Sequence, residues 1–194
     1  RNARFVNRGE RNLVIDAAMS ANIDLPDARW RMLDFTGAWG RERHLQEREL
    51  KTGVQSIYSL RGHSSHQFNP FLILKRPETT EDSGECFGVS LVYSGNFLGQ
   101  VEVDNYHVTR VMMGIHPEGF AWRLGPGASF QTPEAVIVYS ADGLNHMSQA
   151  YHELYRTRLA RGYWRDRPRP VLINSWESTY MNFDEDKVFS IASK

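Results

Sequence analysis

The run "FGVSLVYSGNFLGQVEVDNYHVTRVMMGI", residues 87–115, constrains the fold more than any other part of the chain. It divides into three short segments, separated by the turn-forming strings "YSGN" and "VDNYH". In "GQVEVD", Val101 and Val103 point one way and Gln100 and Glu102 the other. Successive side chains of a strand leave opposite faces, so this alternation marks a half-buried strand. "ARFVNRG", "LVIDAAMSANIDLP", "WRMLDFTGAW", "RHLQEREL" and "VQSIYSLRG" precede the run with the same partial alternation. "EAVIVY" follows it, is continuously apolar, and reads as a strand covered on both faces. Many short strands at this spacing predict a mainly β fold, an antiparallel sandwich of large size. The 41% of hydrophobic residues is enough to fill its core.

The pattern changes at Gly143. Leu144, Met147, Tyr151, Leu154 and Tyr155 recur at intervals of three and four, which draws one apolar stripe on a helix of about five turns. Gly162 suits the position just past its end, and Arg156, Arg158 and Arg161 suit the negative end of its dipole. "RDRPRP" then stops any helix and makes a stiff connector. Beyond it the apolar run Val171–Asn174 predicts a buried parallel strand, followed by a loop and a helix capped by Asp184. The expected divisions are 1–141, 142–167 and 168–194. A lone parallel strand cannot make a sheet, and the chain opens on Arg1, so we read it as a piece of a longer protein.

Charge excludes some roles. With 23 basic and 23 acidic residues, nothing resembles the basic face of a nucleic-acid binder. No apolar run approaches the roughly 18 residues of a membrane span. A single cysteine, Cys86, fits a reducing, cytoplasmic compartment. It precedes an apolar strand without activating neighbours, so it reads as inert. His63 and His66 stand three apart in "GHSSHQFNP" with Ser64, Ser65 and Asn69, but a zinc site wants three or four ligands. His44, His107 and His116 are dispersed, and no metal or cofactor is expected. No G-x-S-x-G elbow supports a serine hydrolase. Asp184, Glu185 and Asp186 sit where a cap and a favourable first turn place acids. Glu177, beside Trp176, reads as a residue that holds the loop or pairs with a cation. Trp176 lies just past the predicted strand, and at the C-terminal rim of a (β/α)8 barrel such a side chain can stack on a sugar. From the residues alone, a core or interface role for Trp176 stays open.

Several strings are similar to those of bacterial α-galactosidases of glycoside hydrolase family 36: "IDLPDA…TGAWGRER", "RGHSSHQFNPF", "GVSLVYSGNFLGQVEVD", "WRLGPGASFQTPE" and "RPVLINSWESTYMNF". The resemblance runs from about Asp24 to Lys194. It implies that 1–141 is part of an N-terminal β-supersandwich and that 168–194 begins a (β/α)8 barrel. It also implies a retaining enzyme that removes terminal α-galactose from raffinose-type oligosaccharides and melibiose, as a homo-oligomer. Retention needs two carboxyl groups. In the family these are aspartates on later barrel strands, so no catalytic residue is expected here and the chain by itself is expected to be inactive. The tryptophan of the family's N-x-W-E string matches Trp176, which implies a substrate-binding role. Met181, Ser175 and His63 depart from the family pattern. The competing reading is a non-catalytic carbohydrate-binding or structural sandwich, which would show an exposed aromatic platform from Trp30, Trp39 or Trp122.

Overall fold

A computed structural model describes residues 1–193. The chain divides into two compact units, Arg1–Glu153 and the residues from Leu154 onward.

The first unit is built on thirteen strands: β1 (Arg4–Val6), β2 (Leu13–Ile15), β3 (Met19–Leu25), β4 (Arg31–Ala38), β5 (Arg41–Glu49), β6 (Gly53–Ser59), β7 (Phe68–Lys75), β8 (Cys86–Val92), β9 (Phe97–Val103), β10 (Thr109–Ile115), β11 (Trp122–Leu124), β12 (Ser129–Gln131) and β13 (Glu134–Ser140). Four form one sheet in the order β3-β10-β9-β6, and five form a second in the order β13-β8-β7-β4-β5. β1 pairs with β12 and β2 with β11 as separate ribbons. Every strand pair is antiparallel. The inward residues of the two sheets form one core, with Ile57, Phe97, Val101 and Met113 facing Met32, Leu72, Leu74 and Val89. The mainly β antiparallel fold class therefore holds. The alternation in β9 is realised as expected: Val101 and Val103 are buried, while Gln100 and Glu102 are partly open.

Two expectations change. β13 is not covered on both faces. It is an edge strand whose only strand neighbour among the described residues is β8; its other side meets Arg1, which exchanges backbone bonds with Ala135 at 2.7 and 2.8 Å, and Tyr139 is 53% exposed. A continuous apolar run does not reveal how many neighbours a strand has. Helix α1 (Gly143–Leu154) covers part of it, and Tyr151 donates its hydroxyl to the Val136 carbonyl at 2.9 Å. Close approach of α1 requires Gly88, where a Cβ would lie 2.6 Å from both the Met147 sulfur and the Tyr151 ring. Phe71 meets the Tyr151 ring edge-on at 5.3 Å.

The second correction concerns Val171–Asn174. The run pairs with no strand among the described residues, and Val171 and Leu172 are 96% and 88% exposed. A strand's hydrogen bonds go to other strands, so an isolated segment has nothing to complete them. The helical parts of this unit do form, because their bonds are local. Tyr155–Leu159 is a π-helical turn, closed by the Ala160 amide on the Tyr155 carbonyl at 2.8 Å. Gly162 follows at φ +74°, as a residue past a helix end should. Helices α2 (Trp176–Thr179) and α3 (Glu185–Ala192) complete the unit.

Candidate functional site

The expected site residue, Trp176, opens α2. Asn174 fixes its entry: the side-chain oxygen accepts the Trp176 amide at 2.9 Å. The Ser175 carbonyl then accepts the hydroxyls of Ser178 and Thr179 at 3.1 and 3.0 Å. Four residues on, the Tyr180 ring meets Trp176 in a T-shaped contact, with centroids 5.4 Å apart and planes at 73°. The indole is 46% exposed, so it is not a core residue of this unit. Tyr180 closes the turn by donating its amide to the Trp176 carbonyl at 3.0 Å. Its backbone holds φ +50° and ψ −123°, outside the regions a non-glycine residue favours. The arrangement is a half-open aromatic face on a locally braced turn, suited to stacking against an apolar ring face. Sequence reading missed Asn174 and Tyr180. The i,i+4 spacing of the two rings was the available signal for Tyr180.

The other candidates fall out as structural. The Asp184 carboxylate accepts the Lys187 amide at 2.9 Å and caps α3, while Glu185 and Asp186 lie in its first turn. Cys86 is fully buried, its thiol pointing to the Gly143 carbonyl at 3.5 Å. Burial pushes that thiol up to about 11, so thiolate chemistry is suppressed. Among the described residues no three His, Cys, Asp or Glu side chains gather as metal ligands. His63 instead turns its Nδ1 to the Ser64 carbonyl at 2.6 Å. Of the tryptophans proposed for a binding platform, Trp30 is buried, while Trp39 and Trp122 are 84% and 47% exposed.

The glycosyl hydrolase family 36 N-terminal domain matches residues 1–125. The chain belongs to glycosyl hydrolase family 36. The melibiase family matches residues 129–194, which include Trp176. Among family 36 relatives, α-galactosidase AgaA of Geobacillus stearothermophilus is 56% identical over 99% of the chain. α-Galactosidase Mel36A of Lactobacillus acidophilus is 41% identical over the whole chain. The crystal structure of AgaA superposes on 97% of the chain with a TM-score of 0.91, and a variant of that enzyme in complex with stachyose gives 0.90. The chain spans about a quarter, 26%, of the length of these relatives.

Proposed function

We propose that this chain is part of a retaining α-galactosidase, in which residues 168–194 start the catalytic barrel and Trp176 forms one wall of the galactose site. The half-open Trp176 indole, braced by its T-shaped contact with Tyr180, carries this reading. An indole face stacks on the C–H face of a pyranose without needing a charge partner. The substrates are raffinose-type oligosaccharides and melibiose, which fits relatives solved with stachyose and raffinose. Hydrolysis with retention uses two carboxyl groups about 5–5.5 Å apart on a complete barrel. Asp184 is already engaged as a helix cap. The chain alone is therefore inactive, and the complete protein acts.

The proposal extends to a cytoplasmic, homo-oligomeric complete protein. The single free thiol of Cys86 supports the compartment. Exposed apolar side chains on the two ribbons, with Phe5 and Trp122 both packed on the Phe130 ring and Leu13 open on the strand paired with that of Trp122, support self-association.

The test is Trp176→Ala in the complete enzyme. Loss of a stacking face worth about 1–3 kcal/mol lowers kcat/KM on raffinose about 5- to 150-fold. The melting temperature stays near that of the unsubstituted enzyme. Wild-type efficiency with a lowered melting temperature would return Trp176 to a structural role.

A further inference from the structure

We propose that the end of the sandwich between the β4–β5 hairpin and the β6–β7 loop holds a second saccharide-binding site, centred on Tyr58 and lined by residues of the first unit. Its ligand is a neutral oligosaccharide. A groove of about 490 Å³ lies there, lined by Thr36, Tyr58, Arg61, Gln67 and Phe68 among others. A hollow of about 270 Å³ shares Thr36 and Gly37 with it and adds Arg41 and His44. Volumes of this order suit small-molecule ligands.

The wall is aromatic and propped. Tyr58 stacks on Phe68 with centroids 6.2 Å apart and planes at 29°, and His116 stands 5.7 Å from the Tyr58 ring. Tyr58 nevertheless remains 46% exposed. Trp39, 84% exposed, stands at the tip of the adjoining hairpin. That hairpin is tight because residue 37 is glycine: a Cβ there would lie 2.6 Å from the Arg41 carbonyl.

The loop opposite is set before any ligand arrives. The Gly37 amide bonds the Gln67 carbonyl at 3.1 Å, and the Ser64 amide bonds the Ser94 carbonyl at 2.7 Å. The Gly62 amide reaches the Asn96 side chain at 2.7 Å, and the Ser59 hydroxyl donates to the His63 carbonyl at 2.6 Å. A fixed loop loses little freedom on binding. Across this floor Arg61 Nε donates to the Gln67 side-chain oxygen at 3.1 Å. That bond aligns the two planar groups and leaves the Arg61 terminal nitrogens and the Gln67 amide nitrogen to meet hydroxyls. An aromatic wall beside planar neutral and cationic donors matches a sugar, which offers an apolar ring face and an equatorial fringe of hydroxyls. An anion would instead call for cations converging on one point, and here Arg61 is tied to a neutral amide.

The choice of an α-galactosyl oligosaccharide as ligand rests on the α-galactosidase reading above. The test titrates stachyose into the chain and follows backbone amide shifts. Saturable shifts are expected at Tyr58, Gln67 and Phe68, with Kd on the order of millimolar. Tyr58→Ala should weaken binding at least about tenfold, the loss of roughly 1.4 kcal/mol. Gln67→Ala should weaken it several-fold with an unchanged fold, and Trp176→Ala should leave it as it was. Shifts confined to the Trp176 turn, no saturation, or wild-type affinity in folded Tyr58→Ala and Gln67→Ala would each overturn the proposal. Raffinose hydrolysis by the complete enzyme is measured alongside. Hydrolysis without binding at Tyr58 sinks this site and leaves the enzyme reading; binding at Tyr58 without hydrolysis does the reverse.

Discussion

The sandwich and the tail use similar residues to opposite ends. Val101 in β9 is fully buried and its strand is bonded on both sides, by β6 and β10. Val171 belongs to an equally apolar run, Val171–Ile173, and is 96% exposed with no strand beside it among the described residues. The difference lies in where the hydrogen-bond partners are. β9 finds both of its neighbours within this chain. The elements described in the tail rest on local bonds: a π-helical turn, a side-chain-braced turn at Trp176 and a capped helix. A β-strand is thus a property of its neighbours as much as of its sequence, whereas a short helix carries most of its own bonds.

Amide exchange tests this contrast where the effect is largest. β9 amides should exchange only through global opening, which for a stable domain slows them by more than about 1,000-fold. The amides of Leu172 and Ile173 should exchange within about tenfold of a free peptide. Protection of those amides in this chain would show that a partner strand exists after all. In the complete protein they should become protected, since a barrel strand is bonded on both edges.

Within the sandwich, the most consequential polar contact is Asp34–Arg48, joining β4 to β5 at 2.6 Å. The Asp34 side chain is fully buried, and one carboxylate oxygen and the Arg48 Nε find no protein partner. Arg48→Met leaves a buried acid uncompensated and should cost about 3–5 kcal/mol. Asp34→Leu combined with Arg48→Met should recover most of that loss, because desolvation of the pair disappears with it. Urea unfolding measures both. A double variant as unstable as the single would mean the pair is worth more than its desolvation.

Two aspartates of the sandwich should respond to acid in opposite senses. A hydrogen bond from Arg76 holds Asp27 below the ordinary carboxyl value of 3.8. Its stabilisation is complete above that value and is lost as pH falls through the lower folded one. Burial pushes Asp34 above 3.8, against the pull of Arg48. What Asp34 contributes is therefore present below 3.8 and lost as pH rises through its raised value. Asp27→Asn should flatten the acid limb of stability against pH, and Asp34→Asn should steepen it just above about pH 4. Equal slopes in both variants would remove either residue from the acid response.

What the sequence showed follows the same division between local and distant causes. The alternation at Val101 and Val103, the stripe Met147–Tyr151 and the Asp184 cap are local patterns, and the structure realises each of them. Arg48 sits in "RHLQEREL", which reads as a charged, exposed strand. Its partner Asp34 lies across a sheet, so nothing nearby marks the burial. The edge position of β13 was hidden for the same reason. At the candidate site the residue type and position of Trp176 were legible. Its half-open face was not, because exposure depends on everything packed around it.

The smallest predicted effect returns to the tail. Asp184, in extended backbone at φ −132° and ψ 179°, accepts the Lys187 amide and sits before Glu185 and Asp186. That satisfies one of the four amides a helix start leaves open and sets two more acids against the positive end of the dipole. Asp184→Ala should cost about 0.5–2 kcal/mol. In a well-packed helix that loss would only lower stability. α3 is eight residues long and has no fully buried side chain, and a helix under about 12 residues is marginal by itself. The substitution should therefore melt α3, which Cα shifts of Glu185–Ala192 would report, while the sandwich unfolds at its former temperature. A helix that survives the change must draw its stability from packing rather than from its cap, and the division between a self-sufficient sandwich and a locally held tail would then have to be redrawn.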